Sequence, residues 1–202
     1  TNDLLGVYQR RIAAAKEAND TARQIELLRR IAEIWLDQLG NPQRALEPLQ
    51  GVLELAPRDA QTRALLAKIH EQRRDFRALI ALRRQDLDDL DGDAALALRL
   101  ELATLAEERL GDRHEAIAAY NEVIAHSGEH PVALTGLLRL YERESRWASA
   151  AEILHRQIAQ ADASVTAGLL VTLGNLYSDR LQSRADAILV WRELLRLAPG
   201  HE

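Results

Sequence analysis

Apolar positions recur along this chain at intervals of three and four residues. Leu27, Leu28, Ile31, Ile34 and Trp35 fall on one face of a 3.6-residue helix. The same pattern predicts about eleven helices, near 3–18, 22–39, 42–56, 60–72, 76–89, 93–110, 113–126, 131–143, 147–160, 164–181 and 184–197. Asn41-Pro42 supplies an N-cap side chain and a proline at the first helical position, where its missing N–H costs nothing. Asp112 and Ser183 are N-cap candidates at the same place in later units. Pro48 falls inside a helix. There it removes the bond to the Arg44 carbonyl, so a bend is expected.

The helices repeat in pairs of pairs. Leu39-Gly40-Asn41 is echoed 71 residues on by Leu110-Gly111-Asp112, and again by Leu181-Gln182-Ser183. The same offset relates Ala45, Ala116 and Ala187, and then Leu49, Tyr120 and Trp191. Phe76 pairs with Trp147, Leu66 with Leu137 and His70 with Tyr141, with no insertion needed. Each 71-residue unit is two helical hairpins. Small residues such as Ala32, Ala103 and Gly174 mark where the helices of a hairpin approach, and Trp35, Tyr120, Tyr177 and Trp191 fill the space beside them. No hairpin can bury its apolar face alone, so neighbours must stack.

This pattern resembles the tetratricopeptide repeat (TPR) family. The fifth hairpin carries the resemblance best, through Leu170, Leu173, Gly174, Tyr177, Ala187, Trp191 and Pro199. The first offers Leu28, Ile31, Ala32, Trp35, Ala45, Leu49 and Pro57, while the second has Arg83 at the aromatic position. The resemblance implies an all-α, right-handed α-solenoid. Residues 25–202 divide into five repeats, 25–59, 60–95, 96–130, 131–166 and 167–202, as one continuous solenoid. In the odd repeats one extra residue falls between positions such as Tyr177 and Ala187, and the expectation places it in the turn within the hairpin.

Residues 1–24 read as the second helix of a truncated preceding repeat plus a linker, since Leu5 precedes Phe76 and Asp20 precedes Asp91 by 71. Gly200-His201-Glu202 reaches the point where Glu129-His130-Pro131 opens a further repeat. The expectation is an excerpt from a longer solenoid, with apolar faces uncovered at Leu5 and Tyr8 in front and at Trp191, Leu194 and Leu195 behind. Such faces would give weak self-association.

Composition narrows the chemistry. Alanine and leucine make up 69 of the 202 residues, while glycine and proline total 15, which favours helix over a turn-rich β fold. Cysteine is absent, which removes disulfides, thiolate metal sites and cysteine nucleophiles. No apolar run approaches 18 residues, so no membrane partner is expected. The net charge of −5 and the lack of stacking aromatics in the groove argue against nucleic acid. Compartment stays open, with the cytoplasm as the default.

Metal and catalytic readings find little to stand on. His126 and His130 have a ligand-like spacing, but Ser127-Gly128 breaks the helix between them and no third ligand lies near. His70 replaces a consensus tyrosine and reads as packed; His114 and His155 read as surface. The run Asp86–Asp93 glances at a calcium loop, but both end ligands would be leucines, Leu87 and Leu98. A helix end followed by an N-cap explains it better. Glu107-Glu108 reads as a solvated pair. There is no phosphate loop or catalytic triad pattern, so neither an enzyme nor a cofactor is expected.

The resemblance implies a concave groove lined by the first helices. Carried onto this chain, it names Glu26, Arg29, Arg30, Glu33, Leu36 and Asp37, then Lys68, Glu71 and Gln72. The third repeat adds Leu100, Glu101, Thr104, Glu107 and Glu108; the fourth adds Arg139, Glu142 and Arg143; the fifth adds Val171, Thr172, Asn175, Ser178 and Asp179. Five of these are cationic and nine anionic. The family's carboxylate clamp needs Lys and Asn where this chain has Arg29 and Glu33, so that activity is not carried over. The expected function is a protein–protein interaction scaffold gripping a peptide or helical segment of basic or amphipathic character. The alternative is a structural spacer within a longer solenoid.

Overall fold

In the computed structural model of the chain, residues 2–197 are described, and every regular element among them is helical. The helices are α1 (Asn2–Glu17), α2 (Thr21–Glu33), α3 (Pro42–Leu55), α4 (Ala60–Gln72), α5 (Phe76–Arg84), α6 (Gly92–Leu105), α7 (Arg113–Ser127), α8 (Pro131–Arg143), α9 (Trp147–Gln160), α10 (Ala163–Asn175) and α11 (Arg184–Leu197). Their bounds fall within a residue of the expected ones once the short segments continuing α2, α5, α6 and α10 are included. Pro199 and Gly200–Glu202, read above as a repeat end and the start of another, lie outside the described residues.

The chain forms two compact units, Thr1–Asp86 and Leu87–Glu202. Within each, every helix packs on the next in sequence, α1 through α5 in the first and α6 through α11 in the second. The first unit buries Ala32, Ala45, Leu49, Leu66, Ile69 and Leu82 in one cluster and Leu5, Ile31 and Ile34 in another. The second buries Tyr120, Val123, Leu134, Leu137, Leu140, Leu154 and Leu173. Expected exposure at the ends is only partly met. Leu5 is buried against α2 with Tyr8 packed beside it, and Leu194 on α11, which packs on α10, is buried too. Leu195 does stand exposed.

Close approach within the array depends on small residues, as expected. A Cβ at Gly174 would sit 2.5 Å from the Trp191 ring, and one at Gly136 would sit 2.4 Å from the Tyr120 ring. His70 is packed as expected. Burial pushes its imidazole below the ordinary range, and Asp75, 3.7 Å away, opposes that shift. α3 runs to Leu55 past a buried Pro48.

The extra residue of the odd hairpins is not in the turn. The first helices α2, α6 and α10 each end in a π-helical turn, Ile34–Gln38, Ala106–Leu110 and Leu176–Arg180. A π turn spaces its bonds five residues apart and so absorbs one additional residue without lengthening the loop. Leu39 donates to the Ile34 carbonyl and Leu181 to the Leu176 carbonyl, both at 3.0 Å. The turn then closes through a left-handed residue, Gly40, Gly111 or Gln182. Asn41, Asp59, Asp75, Asp112 and Asp162 cap the helices they precede with side-chain bonds. Asp91, which precedes α6 near the end of the acidic run, makes no capping bond.

Two substitutions separate these backbone demands. Gln182→Gly removes the left-handed penalty that Gly40 and Gly111 already avoid and should raise stability by up to about 1 kcal/mol. Gly174→Ala drives a methyl into the Trp191 ring and should cost about 1–3 kcal/mol. Thermal unfolding followed by circular dichroism reads both, with shifts of opposite sign.

Candidate functional site

The residues expected to line the first-helix face form separate groups in the two units. In the first unit, Glu26, Arg29, Arg30 and Glu33 border a cleft of about 520 Å³ between α1 and α2, walled on the other side by Tyr8 and Arg11. Their charges are spent locally. Arg23 pairs with Glu26 at 2.5 Å and Arg30 with Glu33 at 2.7 Å, each one helical turn apart. Arg29 reaches Asp59 at 2.5 Å, which also caps α4 through the Thr62 amide. Bonds from Thr62 hold the Asp59 carboxyl below its ordinary range against desolvation, and Arg29 adds to the effect. Lys68 and Glu71 stand exposed on α4, apart from this group.

The second unit builds something tighter. Glu107 lies on the π turn Ala106–Leu110, and its side chain is only 4% exposed. Arg139 of α8 grips it with two bonds, Nε to Oε1 at 2.7 Å and Nη2 to Oε2 at 2.6 Å. Arg143, one turn further along α8, approaches to 3.6 Å. From below, the buried Tyr120 hydroxyl donates to Oε2 at 3.0 Å. Burial alone would raise the Glu107 carboxyl, but bonds from Arg139 and Tyr120 and the charges of Arg139 and Arg143 hold it below its ordinary value. The solvated reading of Glu107 is therefore corrected. A planar guanidinium meeting a carboxylate edge-on is the strong form of this pair.

Thr104 sits beside the group and turns its hydroxyl to the Leu100 carbonyl at 2.9 Å. Glu101, Glu108 and Asn175 are exposed on the same set of helices, α6, its π turn and α10. Glu142 and Asp179 are exposed as well.

Two further clefts went unnoticed in the sequence. One of about 900 Å³ lies between α1 and α3, floored by Leu28, Ile31 and Trp35 of α2 and its extension. Another of about 470 Å³ lies between α9 and the end of α10, against Tyr177 and Leu181. They overlap at two positions of the repeat, but the second has no wall from α11, the counterpart of α3. Gln9 and Ala151, and Trp35 and Tyr177, occupy them 142 residues apart. That offset was the available signal. His155, read as plain surface, bonds Tyr177 at 3.1 Å in the second cleft. Among the described residues no group of histidine and carboxylate side chains is arranged to hold a metal.

Stacked hairpins with small residues at their crossings make this chain a TPR-like helical array. No family model matches it and no curated protein does. Several solved structures are similar. BtubC (BKLC) from P. vanneervenii is 15% identical, with 98% of this chain and 92% of that one covered and a TM-score of 0.44. YrrB, a TPR protein with an unusual peptide-binding site, is 15% identical over 94% and 93%, at 0.45. PilW, a widely conserved type IV pilus biogenesis factor, is 16% identical over 100% and 97%, at 0.46. With TM-scores under 0.5, these likenesses say nothing of what this chain binds.

The Glu107 cluster gives a stability prediction. Its lowered pKa means the contribution is complete above the unfolded carboxyl value near 4.5 and is lost as pH falls through the folded value. Glu107→Gln should cost about 2 kcal/mol at pH 7 and flatten the acid limb of stability against pH. Urea titrations at pH 3 to 7 on both proteins check it.

Proposed function

We propose that the chain is a protein-interaction array and that the first-helix face of the unit Leu87–Glu202 takes a basic, amphipathic segment of a partner protein. What carries the reading is the engagement of both arginines of that face. Arg139 and Arg143 turn onto the buried Glu107. Glu108, Glu142 and Asp179 are left at the surface, so the charge offered to a partner is negative. Lysine or arginine side chains of the partner meet these carboxylates, and its apolar side chains reach half-buried Leu100 and Val171. Exposed charges of this kind set association rate and selectivity more than they set total affinity. Nucleic acid and membrane are not partners in this reading, and no catalytic role is assigned.

The test is fluorescence anisotropy of a labelled lysine-rich amphipathic peptide titrated with the protein. Combining Glu108→Gln, Glu142→Gln and Asp179→Asn should weaken binding about 10-fold at low salt. Raising the salt from about 50 to 300 mM should weaken the parent by a similar factor and the variant much less. An affinity indifferent to both charge and salt would remove this reading and leave the spacer role.

A further inference from the structure

The first hairpin departs from its own later copies, and the departures gather in one place. On α3, the side facing the hairpin interior keeps its character through both repeats: Ala45, Ala116 and Ala187, then Val52, Val123 and Leu194. The other side does not. Arg44 stands where the copies have Glu115 and Asp186, and Glu47 where they have Ala118 and Leu189. Pro48 replaces Ala119 and Val190, Gly51 replaces Glu122 and Glu193, and Glu54 replaces Ala125 and Arg196. All five changed positions line the 900 Å³ cleft between α1 and α3.

Proline and glycine in the interior of one helix each cost stability, proline by about 3 kcal/mol and glycine by about 1 kcal/mol relative to alanine. Here both lie on the cleft wall, three residues apart. Gly51 removes the side chain that both copies carry, and the wall opens over Leu28, whose Cδ1 is 3.3 Å from where a Cβ would be. Ile12, Leu28, Trp35 and Leu46 are left half-buried along the floor and walls. The Arg44 guanidinium covers the Trp35 ring at 4.9 Å, so its charge is turned onto the aromatic face. Glu47 and Glu54 remain exposed, seven residues and two helical turns apart along one edge of α3.

We propose that this cleft is a second docking site, on the second-helix side of the first unit, for a three-turn amphipathic helix of a partner protein. The lining of α3 runs from Gln43 to Glu54, roughly 16 Å of helix at 1.5 Å per residue, which sets the length of the occupant. Two walls, α1 and α3, and a third helix as floor form a groove of the kind that takes apolar side chains at i, i+3 or i+4 and i+7. The two exposed glutamates fix the flanking charge. The occupant carries lysine or arginine at two positions seven apart, beside its apolar stripe. This site is separate from the first-helix face of the second unit and does not depend on it.

The experiment uses a 14-residue leucine–lysine–alanine helix peptide with leucines on one stripe and two lysines seven apart. Its titration into the full chain is followed by the indole N–H resonances of the three tryptophans, that of Trp35 being assigned by Trp35→Phe. The Trp35 signal should shift saturably at micromolar peptide. Gly51→Glu, which installs the side chain both copies carry, should weaken binding at least 10-fold with the helical circular dichroism unchanged. The surface pair Glu47→Gln and Glu54→Gln should weaken it several-fold, whereas the triple carboxylate variant of the second unit should leave the Trp35 shift intact. A Trp35 resonance unmoved at about 1 mM peptide, or an equal shift in Gly51→Glu, overturns the proposal. So does a Trp35 shift that grows with protein concentration alone and vanishes in Gly51→Glu, since the occupant would then be a second copy of this chain.

Discussion

One backbone bond recurs in the hairpins and sets the geometry of everything packed on them. In four of the five hairpins the amide at the start of the second helix donates to the carbonyl of the large-residue position on the first. Asn41 bonds Trp35 at 2.7 Å, Asp75 bonds His70 at 2.9 Å, Arg146 bonds Tyr141 at 2.8 Å and Ser183 bonds Tyr177 at 2.9 Å. The bond satisfies a carbonyl that the helix end would otherwise leave without a partner. It also fixes the crossing, so that Ala45 and Ala187 arrive buried against Ala32 and Gly174 rather than half a turn away. Donor and acceptor are five residues apart in the even hairpins and six in the odd ones. The array holds the bond and lets the helix end adjust.

That preference explains what sequence could and could not announce. Helix periodicity, the Asn41-Pro42 cap and the 71-residue register placed every helix, because each rests on local chemistry repeated in triplicate. Locating the extra residue requires knowing which of two neighbouring backbone arrangements is cheaper. A loop one residue longer breaks the closing bond, whereas a π turn keeps it, and no residue type near Leu176 marks the difference. The site was less legible. Glu26, Arg30 and Glu33 were read as free groove residues, but their pairing one turn apart empties them of net charge.

Glu107 was missed for another reason: its burial is made by its neighbours. The residue after the large position is Glu71 in the second hairpin and Glu142 in the fourth, and both are exposed. In those hairpins His70 and Tyr141 are buried and occupy the interior. In the third, the position before the glutamate is Ala106. Tyr120 stands where the copies of that helix carry Leu49 and Trp191, neither with a hydroxyl to offer, and its ring packs against Gly136. The phenol then supplies a donor at 3.0 Å and α8 supplies two guanidinium groups. A carboxylate enters such a place only when all of its lone pairs are met.

The consequence reaches the surface. The Tyr120 ring has its room at Gly136, where a Cβ would sit 2.4 Å from it; a larger residue there would displace the phenol and take from Glu107 its buried donor. Arg139 and Arg143 would then lose the well-placed carboxylate they share. A small residue at a helix crossing thus helps to seat a carboxylate inward, with two arginines drawn to it. Arg139 and Arg143 stay about half exposed over the buried Glu107, and Glu108, Glu142 and Asp179 are exposed as well. Charges held in a network discriminate by geometry, and solvated ones act by attraction over about a Debye length. In the proposed reading, the charge a partner meets on this face is therefore set in part at Tyr120 and Gly136, both of them buried.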